Sequence, residues 1–288
     1  MRDYVIFADS TCDISEDVLK EWGIPYCSLT FRFTGENKEY NDRDIDSKAF
    51  YDRMRKGEVA KTAAVNSQTF VNAFEEIIKE GRDVLYIAFS SGLSTTYNSG
   101  RIAGEELSAK YPEAKIRVVD SLSASAGYGL LLSLAVDMKK SGKDIDEVAK
   151  YVEETRLNIC HWFTVDDLVY LKRGGRVSAT AAFVGNVLGI KPVMHMDNEG
   201  HLINVSKVRG RKTSLMAIAD KYGELALDKK DGRVYICHAD CMNDVEELKR
   251  VLNERYGAKV EIVTDTGTVI GSHSGPGTIA LFFVGKER

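Results

Sequence analysis

The sequence lacks an apolar run long enough to span a lipid bilayer. Its longest apolar helix candidate covers residues 126–136 and ends at Asp137, well short of the roughly 20 residues that a membrane-spanning helix needs. The first residues, MRDY, lead directly into a strand-like run without the pattern of a secretory leader. We therefore expect a cytoplasmic protein that makes no stable membrane insertion.

The sequence also lacks a strong excess of positive charge. Its 288 residues include 39 Lys and Arg against 43 Asp and Glu, which gives a net charge of -4. Proteins that bind nucleic acids concentrate positive charge and place aromatic side chains among the basic residues, and the basic clusters of this chain show no such interleaving. The sequence therefore predicts no nucleic-acid partner.

Cysteines are few and odd in number, which predicts reduced thiols in a cytoplasmic chain. Two clusters, Cys160-His161 and Cys237-His238-Ala-Asp-Cys241, contain zinc ligands, so a metal-dependent module is one alternative. Their spacing matches no recognised zinc motif, and cysteines in strand-like runs usually act as small apolar residues. We expect no metal and no cofactor.

No linker rich in proline, glycine or serine interrupts the chain, so its parts are expected to pack closely. In the first half, amphipathic helical patterns alternate with short apolar runs at residues 4–8, 24–33, 84–89 and 116–119. Such runs suit strands that are covered on both faces, and the alternation is typical of a doubly wound α/β domain. We predict an N-terminal domain over residues 1–158 with a mainly parallel sheet.

The pattern changes after residue 158, and we predict a second α/β domain over residues 159–288. Two runs, residues 191–196 and 202–208, flank DNEGH and indicate a hairpin with Gly200 near its tip. The last strand, near residues 279–284, is a candidate for packing back on the first domain. Helical patterns cover residues 166–172, 178–188, 214–226 and 243–256. A cleft between two domains is a common ligand site.

Small hydroxyl side chains are concentrated in FSSGLSTTY, residues 89–97, directly after the apolar run 83–89. A turn that follows a parallel strand lies at the carboxyl edge of its sheet, where ligands collect. The next helix begins nearby, and its unpaired N–H groups favour an anion. Helix capping explains only one or two of the hydroxyls and leaves the rest of the cluster unexplained. Ser91, Ser94 and Thr95 are therefore predicted to bind an anion.

Three more polar loops accompany this cluster, at residues 9–13, 61–67 and 120–125. Each is explained singly by capping, but together they indicate a polar rim around one site, because loops after parallel strands gather at one sheet edge. His273 lies in GSHSGPG, residues 271–277, where it is placed to donate a hydrogen bond or a charge to an anion.

A serine hydrolase that uses Ser94 and His273 is the alternative function. A nucleophile elbow needs small residues on both sides of the serine. Gly92 supplies the first of them, but Thr96 stands where the second glycine is needed. The local sequence thus favours binding over catalysis.

Basic residues cluster at residues 171–176, 191 and 207–212, in part beside glycines that let the backbone approach a partner. Solvated surface is one interpretation of these clusters. The other is a docking surface for an anionic partner or a phosphate group.

Eight short motifs follow one another along nearly the whole chain: DSTCD (9–13), SSGLS (90–94), VDSLSAS (119–125), FTVDDL (163–168), YLKRGGR (170–176), IKP (190–192), RGRK (209–212) and GSHSGPG (271–277). In this order they resemble the DegV family of bacterial fatty-acid-binding proteins, which includes the binding subunit of fatty acid kinase.

The resemblance implies a two-domain α/β protein that holds a fatty acid, such as palmitate, stearate or oleate, in a buried tunnel between the domains. It implies that Thr62, Ser94 and His273 grip the carboxylate, and that Arg173 and Arg209 handle the head group or dock a kinase. It also implies a carrier that is not itself an enzyme: a separate ATP-dependent kinase subunit phosphorylates the bound acid.

Two positions depart from the family pattern. The usual T-S-x-P-S loop is TAAVN here, at residues 62–66, and the glycine that follows the cluster serine is Thr95. Thr62 and Ser94 are retained, so the departures affect the expected ligand preference more than head-group binding. Apolar candidates for the tunnel wall are Phe163, Phe183, Leu188, Ile190 and Val193.

Overall fold

The computed structural model of the chain describes residues 2–177 and 189–288. The helix predicted at residues 178–188, with Phe183 and Leu188, lies outside these residues. Within the two described ranges, no helix is both long enough and apolar enough to cross a membrane.

Short strands and helices alternate through the first half of the chain, as predicted. The strands are β1 (Tyr4–Asp9), β2 (Tyr26–Cys27), β3 (Thr30–Phe33), β4 (Tyr40–Asn41), β5 (Ala60–Ala63), β6 (Asp83–Ala88) and β7 (Ile116–Asp120). The helices are α1 (Glu16–Trp22), α2 (Ser47–Arg55), α3 (Ser67–Lys79), α4 (Thr96–Lys110), α5 (Ser125–Lys140) and α6 (Ile145–Thr155). Polar side chains fix several helix starts; Asp144, for example, begins α6 with a capping box.

The first sheet has the order β2-β1-β6-β7, and all its neighbouring strands are parallel. Side chains of β1 alternate between two cores: Val5 and Phe7 join the core that contains α3, while Ile6 and Ala8 join the core that contains α5. Helices therefore cover both faces of this sheet, which confirms the predicted parallel α/β architecture.

The run at residues 24–33 is not one strand, contrary to the prediction. Its first part, β2, pairs with β1, whereas β3 belongs to a separate antiparallel sheet with the order β4-β3-β5. Between them, the Leu29 amide binds Ser10 Oγ at 3.1 Å and its carbonyl binds the Asp42 amide at 2.9 Å. At Leu29 these two bonds take the place of pairing with β1, so the chain leaves the first sheet here and enters the antiparallel sheet at β3.

The second half forms a six-stranded mixed sheet with the order β10-β9-β8-β13-β11-β12. Its strands are β8 (Ile159–Thr164), β9 (Ile190–Met196), β10 (Leu202–Arg209), β11 (Val234–His238), β12 (Ile262–Asp265) and β13 (Ile279–Val284). The helices are α7 (Val169–Arg173), α8 (Arg211–Leu225), α9 (Met242–Tyr256) and α10 (Thr268–Ser274). The antiparallel pairing of β9 with β10 confirms the predicted hairpin.

Helix α5 connects the two halves. It packs against β8, β11 and β13 of the mixed sheet, and its residues from Ser125 to Leu132 are all buried. A helix that is buried on most sides belongs between two layers. Strand β13 itself pairs with β8 and β11 in the mixed sheet, and it contacts the first half through α5.

Candidate functional site

A cavity of about 460 Å³ is lined by residues of both halves of the chain. Much of its wall is apolar; it includes Leu29, Leu93, Phe163, Ile270, Ala280 and Phe282. The volume falls within the roughly 300–1,000 Å³ of small-molecule sites, which combine apolar walls with a few placed polar groups.

The structure brings all five predicted ligand-binding residues to this cavity: Thr62, Ser91, Ser94, Thr95 and His273. Two of them lie on elements that differ from the predictions. Thr62 lies in strand β5, not in a loop that leads into a helix, and His273 lies in helix α10, not in a glycine-rich loop.

Thr62 Oγ1 and His273 Nε2 are hydrogen-bonded at 2.8 Å. Burial, with a smaller contribution from Arg176, lowers the pKa of His273 to about 4, so its imidazole is neutral at neutral pH. When Nε2–H donates to Thr62, the threonine hydroxyl is free to donate to a ligand oxygen. His273 Nδ1 is buried, and within the described ranges it has no hydrogen-bond partner.

Gly174 makes room for the His273 ring. A Cβ atom at this position would lie 2.1 Å from His273 Nδ1. The φ of Gly174 is -73°, which any residue adopts, so the close approach is what requires glycine here. Gly175 has a φ of +71° and open space around it; there the left-handed backbone favours glycine.

Ser94 stands where the loop after β6 enters helix α4. Its Oγ lies 2.9 Å from Thr96 Oγ1 and accepts a hydrogen bond from the Thr96 amide at 3.2 Å. Thr95 makes no side-chain cap bond and is exposed, as is Ser91. This arrangement confirms that the hydroxyl cluster follows a parallel strand and precedes a helix, where N–H groups favour an anion.

The hydroxyl of Ser94 and the imidazole of His273 have different partners. Ser94 bonds to Thr96, and His273 Nε2 is bonded to Thr62. A serine nucleophile needs a base within hydrogen-bond reach. The geometry therefore does not present Ser94 and His273 as a nucleophile–base pair.

Arg176 is a cavity residue that the sequence analysis missed. Helix α7 ends in a Schellman motif, in which Gly175 N donates to Lys172 O and Arg176 N donates to Leu171 O, both at 3.0 Å. The turn brings the Arg176 side chain to the cavity, where Nε donates to Leu93 O at 3.0 Å. Burial lowers the pKa of Arg176, yet guanidinium keeps its charge in proteins.

The two arginines that were predicted for head-group handling or docking lie elsewhere. Arg173 is exposed, with its guanidinium 5.7 Å from the centre of the Tyr170 ring. Arg209 is exposed at the end of β10. Neither is among the described lining residues of the cavity, where Arg176 is the one Lys or Arg side chain.

The DSTCD loop, residues 9–13, anchors the start of the serine loop through Asp9. The fully buried Asp9 accepts hydrogen bonds from Tyr86 Oη at 2.8 Å and from the Phe89 amide at 3.0 Å, at the end of β6. Burial raises the pKa of Asp9. Asp9 therefore holds the start of the serine loop, while the DSTCD loop itself contributes no residue to the described cavity lining.

Two buried carboxylates of the first half hold the start of helix α10. Asp13 Oδ1 accepts from Gly267 N at 3.0 Å, and Asp42 Oδ1 accepts from Val269 N at 3.1 Å. Burial, followed by repulsion from Asp42, raises the pKa of Asp13 to about 8. Burial also raises the pKa of Asp42. These bonds position the helix that carries His273.

All five cysteines are free thiols. Among residues 2–177 and 189–288, no group of three or more His, Cys, Asp or Glu side chains is placed to hold a metal ion. Cys160 Sγ donates to Glu287 O at 3.2 Å, and Cys237 lines the cavity. Both act in packing, as small buried residues do.

Of the apolar wall candidates, Phe163 lines the cavity. Ile190 and Val193 are not among its described lining residues, and Val193 packs with Cys160 and Trp162 in a different core. Residues of one strand alternate between the two faces of a sheet, and Val193 points away from the cavity.

The chain is similar to known proteins over its whole length. A DegV domain-containing protein of Clostridium perfringens is 45% identical over 292 residues, which cover 100% of this chain and 99% of the relative.

Two solved structures share the fold. A DegV family protein from Thermus thermophilus, described as binding fatty acid, superposes with a TM-score of 0.89 at 28% identity and covers 99% of this chain and 100% of its own. A stearic-acid-binding protein from Eubacterium ventriosum gives a TM-score of 0.88 at 25% identity, with 98% of each chain covered. The sequence profile of the DegV family matches residues 3–286. The chain therefore belongs to the DegV family.

Proposed function

We propose that this protein binds a long-chain fatty acid in the cavity between its two halves. The carboxylate is held by Thr62, Ser94 and His273, and the acyl tail occupies an apolar tunnel. The observation that carries the proposal is that Thr62, Ser94, Arg176 and His273 line one cavity whose wall is otherwise largely apolar.

The charge of the site suits a carboxylate. Arg176 supplies the positive charge, and the neutral His273 orients the Thr62 hydroxyl. The start of α4 adds backbone N–H groups beside Ser94, and such helix starts favour anions. A charged head group in a partly buried site needs this combination, because a buried charge without partners is costly.

Burial of the tail is the largest favourable contribution to binding before the costs of association are subtracted. About fourteen methylenes at ~0.8 kcal/mol each give roughly 11 kcal/mol on burial, which association costs of about 4–15 kcal/mol largely offset. Each charge-assisted hydrogen bond adds about 1.5–3 kcal/mol. The polar residues therefore set the direction of the ligand. The two solved relatives, described as binding fatty acid and stearic acid, support ligands such as palmitate, stearate and oleate.

Mass spectrometry of the denatured, freshly purified protein tests the proposal first. We expect a stoichiometric fatty acid to be released. Isothermal titration calorimetry of the delipidated protein with palmitate is the second test. The variants Ser94→Ala and His273→Ala are each expected to weaken palmitate binding without unfolding the chain. Unchanged affinity in both variants would reject their role. Turnover of a lipid ester with covalent labelling of Ser94 would favour the hydrolase alternative.

The protein acts as a carrier that presents its ligand to an ATP-dependent kinase subunit, which forms the acyl phosphate. The exposed basic residues Arg173 and Arg209 support a docking role. Loaded protein, kinase and ATP are expected to yield an acyl phosphate that hydroxylamine traps as a hydroxamate. Loss of this product in Arg173→Glu, with palmitate affinity intact, is the expected sign of docking. Equal product from the variant would contradict that role.

A further inference from the structure

Helix α10 presents a defined stripe of side chains to the cavity. Val269, Ile270, His273 and Ser274 all line it. Residues four positions apart lie one above the other on a helix, so these four form two adjacent rows. One row contains Val269 and His273, and the other contains Ile270 and Ser274. The Ser274 side chain therefore points from the helix toward the cavity.

The Ser274 hydroxyl is buried and unpaired. The residue is 6% exposed, and its Oγ has no hydrogen-bond partner within the described ranges. Ser272, on the same helix, is also buried, but its Oγ donates to Thr268 O at 2.6 Å. The hydroxyl of Ser272 is thus satisfied within the helix, and that of Ser274 is not.

From this contrast we infer that Ser274 is a further ligand-binding residue, whose hydroxyl donates to the carboxylate of the bound fatty acid. The inference rests on the proposed function and extends the site by one donor. A carboxylate has two oxygens that together accept about four hydrogen bonds, so Thr62 and Ser94 leave acceptor capacity for Ser274.

The free hydroxyl is explained better by a ligand oxygen than by the acyl tail. A buried hydroxyl that meets only methylenes stays unpaired and weakens binding. Ser274 follows His273, whose Nε2 already holds Thr62 at 2.8 Å, and both residues line the cavity. The competing partner is Ile270 O, one turn back, which a serine in a helix reaches in another rotamer.

Matched substitutions on α10 test the assignment. Isothermal titration with palmitate is run on the delipidated wild type and on Ser274→Ala, Ser274→Cys and Ser272→Ala. The cysteine variant keeps the unbranched shape of the side chain, with a somewhat larger sulfur atom, and replaces the hydroxyl by a weak donor. We expect about a tenfold loss of affinity in both Ser274 variants and unchanged affinity in Ser272→Ala.

Titration with hexadecanol separates head-group recognition from packing. It has the same tail and no carboxylate, so the Ser274 variants are expected to lose clearly less affinity for it than for palmitate. Wild-type affinity for palmitate in Ser274→Ala would overturn the assignment, and so would equal losses for both ligands. A wild type that binds neither ligand would instead overturn the proposed function itself.

Discussion

Thr62 Oγ1 lies 2.8 Å from His273 Nε2, although 211 positions separate the two residues in the chain. The bond connects strand β5 of the small antiparallel sheet with helix α10, which precedes the last strand of the mixed sheet. Because each side chain fixes the hydrogen-bonding state of the other, we expect them to act as one unit in ligand binding.

Replacement of Thr62 by valine tests this unit. Valine has a similar shape but removes the hydroxyl that joins the imidazole to a ligand oxygen, and it leaves both nitrogens of a buried histidine unpaired. We expect palmitate affinity to fall by about tenfold to a hundredfold, since a buried group without its partner costs about 1–3 kcal/mol. Isothermal titration measures the loss. Thr62→Ser keeps the hydroxyl and is expected to retain most of the affinity; equal losses in both variants would contradict the hydrogen-bonding role.

The two arginines of KRGGR are expected to respond differently to substitution. Arg176→Gln removes the cation at the cavity and should weaken palmitate binding by about tenfold or more, with a smaller effect on hexadecanol, which carries no charge. Arg173→Gln changes an exposed residue and should leave both affinities unchanged. Titration of the two variants with both ligands measures this. The opposite order of effects would assign the head group to Arg173.

The two glycines of the same motif offer a second matched pair. Gly174→Ala places a methyl group 2.1 Å from His273 Nδ1, so the ring has to leave the position in which it bonds to Thr62, and palmitate affinity should fall by about tenfold. Gly175→Ala meets open space but strains a φ of +71°, so it should cost about 1 kcal/mol of stability with affinity unchanged. Urea unfolding and titration separate the two effects. Loss of affinity in Gly175→Ala alone would contradict this explanation.

The buried Asp13 predicts a pH dependence of stability. Burial, followed by Asp42, raises its pKa to about 8 in the folded chain, against roughly 3.9 when unfolded. The folded state therefore holds this proton more tightly, and the stabilisation is complete below about pH 4 and is lost as the pH rises to about 8. Asp13→Asn does not titrate. Hence the free energy of unfolding of the wild type, relative to this variant, should fall between pH 4 and 8 and level off above. Urea unfolding at several pH values measures it; a constant difference would show that Asp13 is ionised throughout.

The part of the site that follows from local pattern could be predicted from the sequence. Ser91, Ser94 and Thr95 come directly after a buried strand and before a helix, and this order alone places them at the edge of the parallel sheet. The β9–β10 hairpin was also predicted, because its turn residues and flanking runs lie next to each other in the chain.

The parts that depend on distant contacts could not be predicted from such patterns. Thr62 lies in a strand because β5 pairs with β3, and the short run at residues 60–63 shows no strand signal of its own. Arg176 reaches the cavity through the left-handed turn at Gly175, and the glycine pair alone does not reveal which arginine turns inward. Family resemblance supplied Thr62, and only the three-dimensional fold supplied Arg176.

The walls of the cavity are contributed by residues from position 29 to position 282. A truncated chain that lacks either end of this range cannot form the complete cavity. A ligand held in this cavity binds the folded chain and not the unfolded one. Because global unfolding then requires the ligand to dissociate, a bound ligand stabilises the folded state by mass action. Resistance to heat and to proteases should then rise with the free concentration of the ligand, and the half-life of the protein in a cell would depend on how much ligand is available.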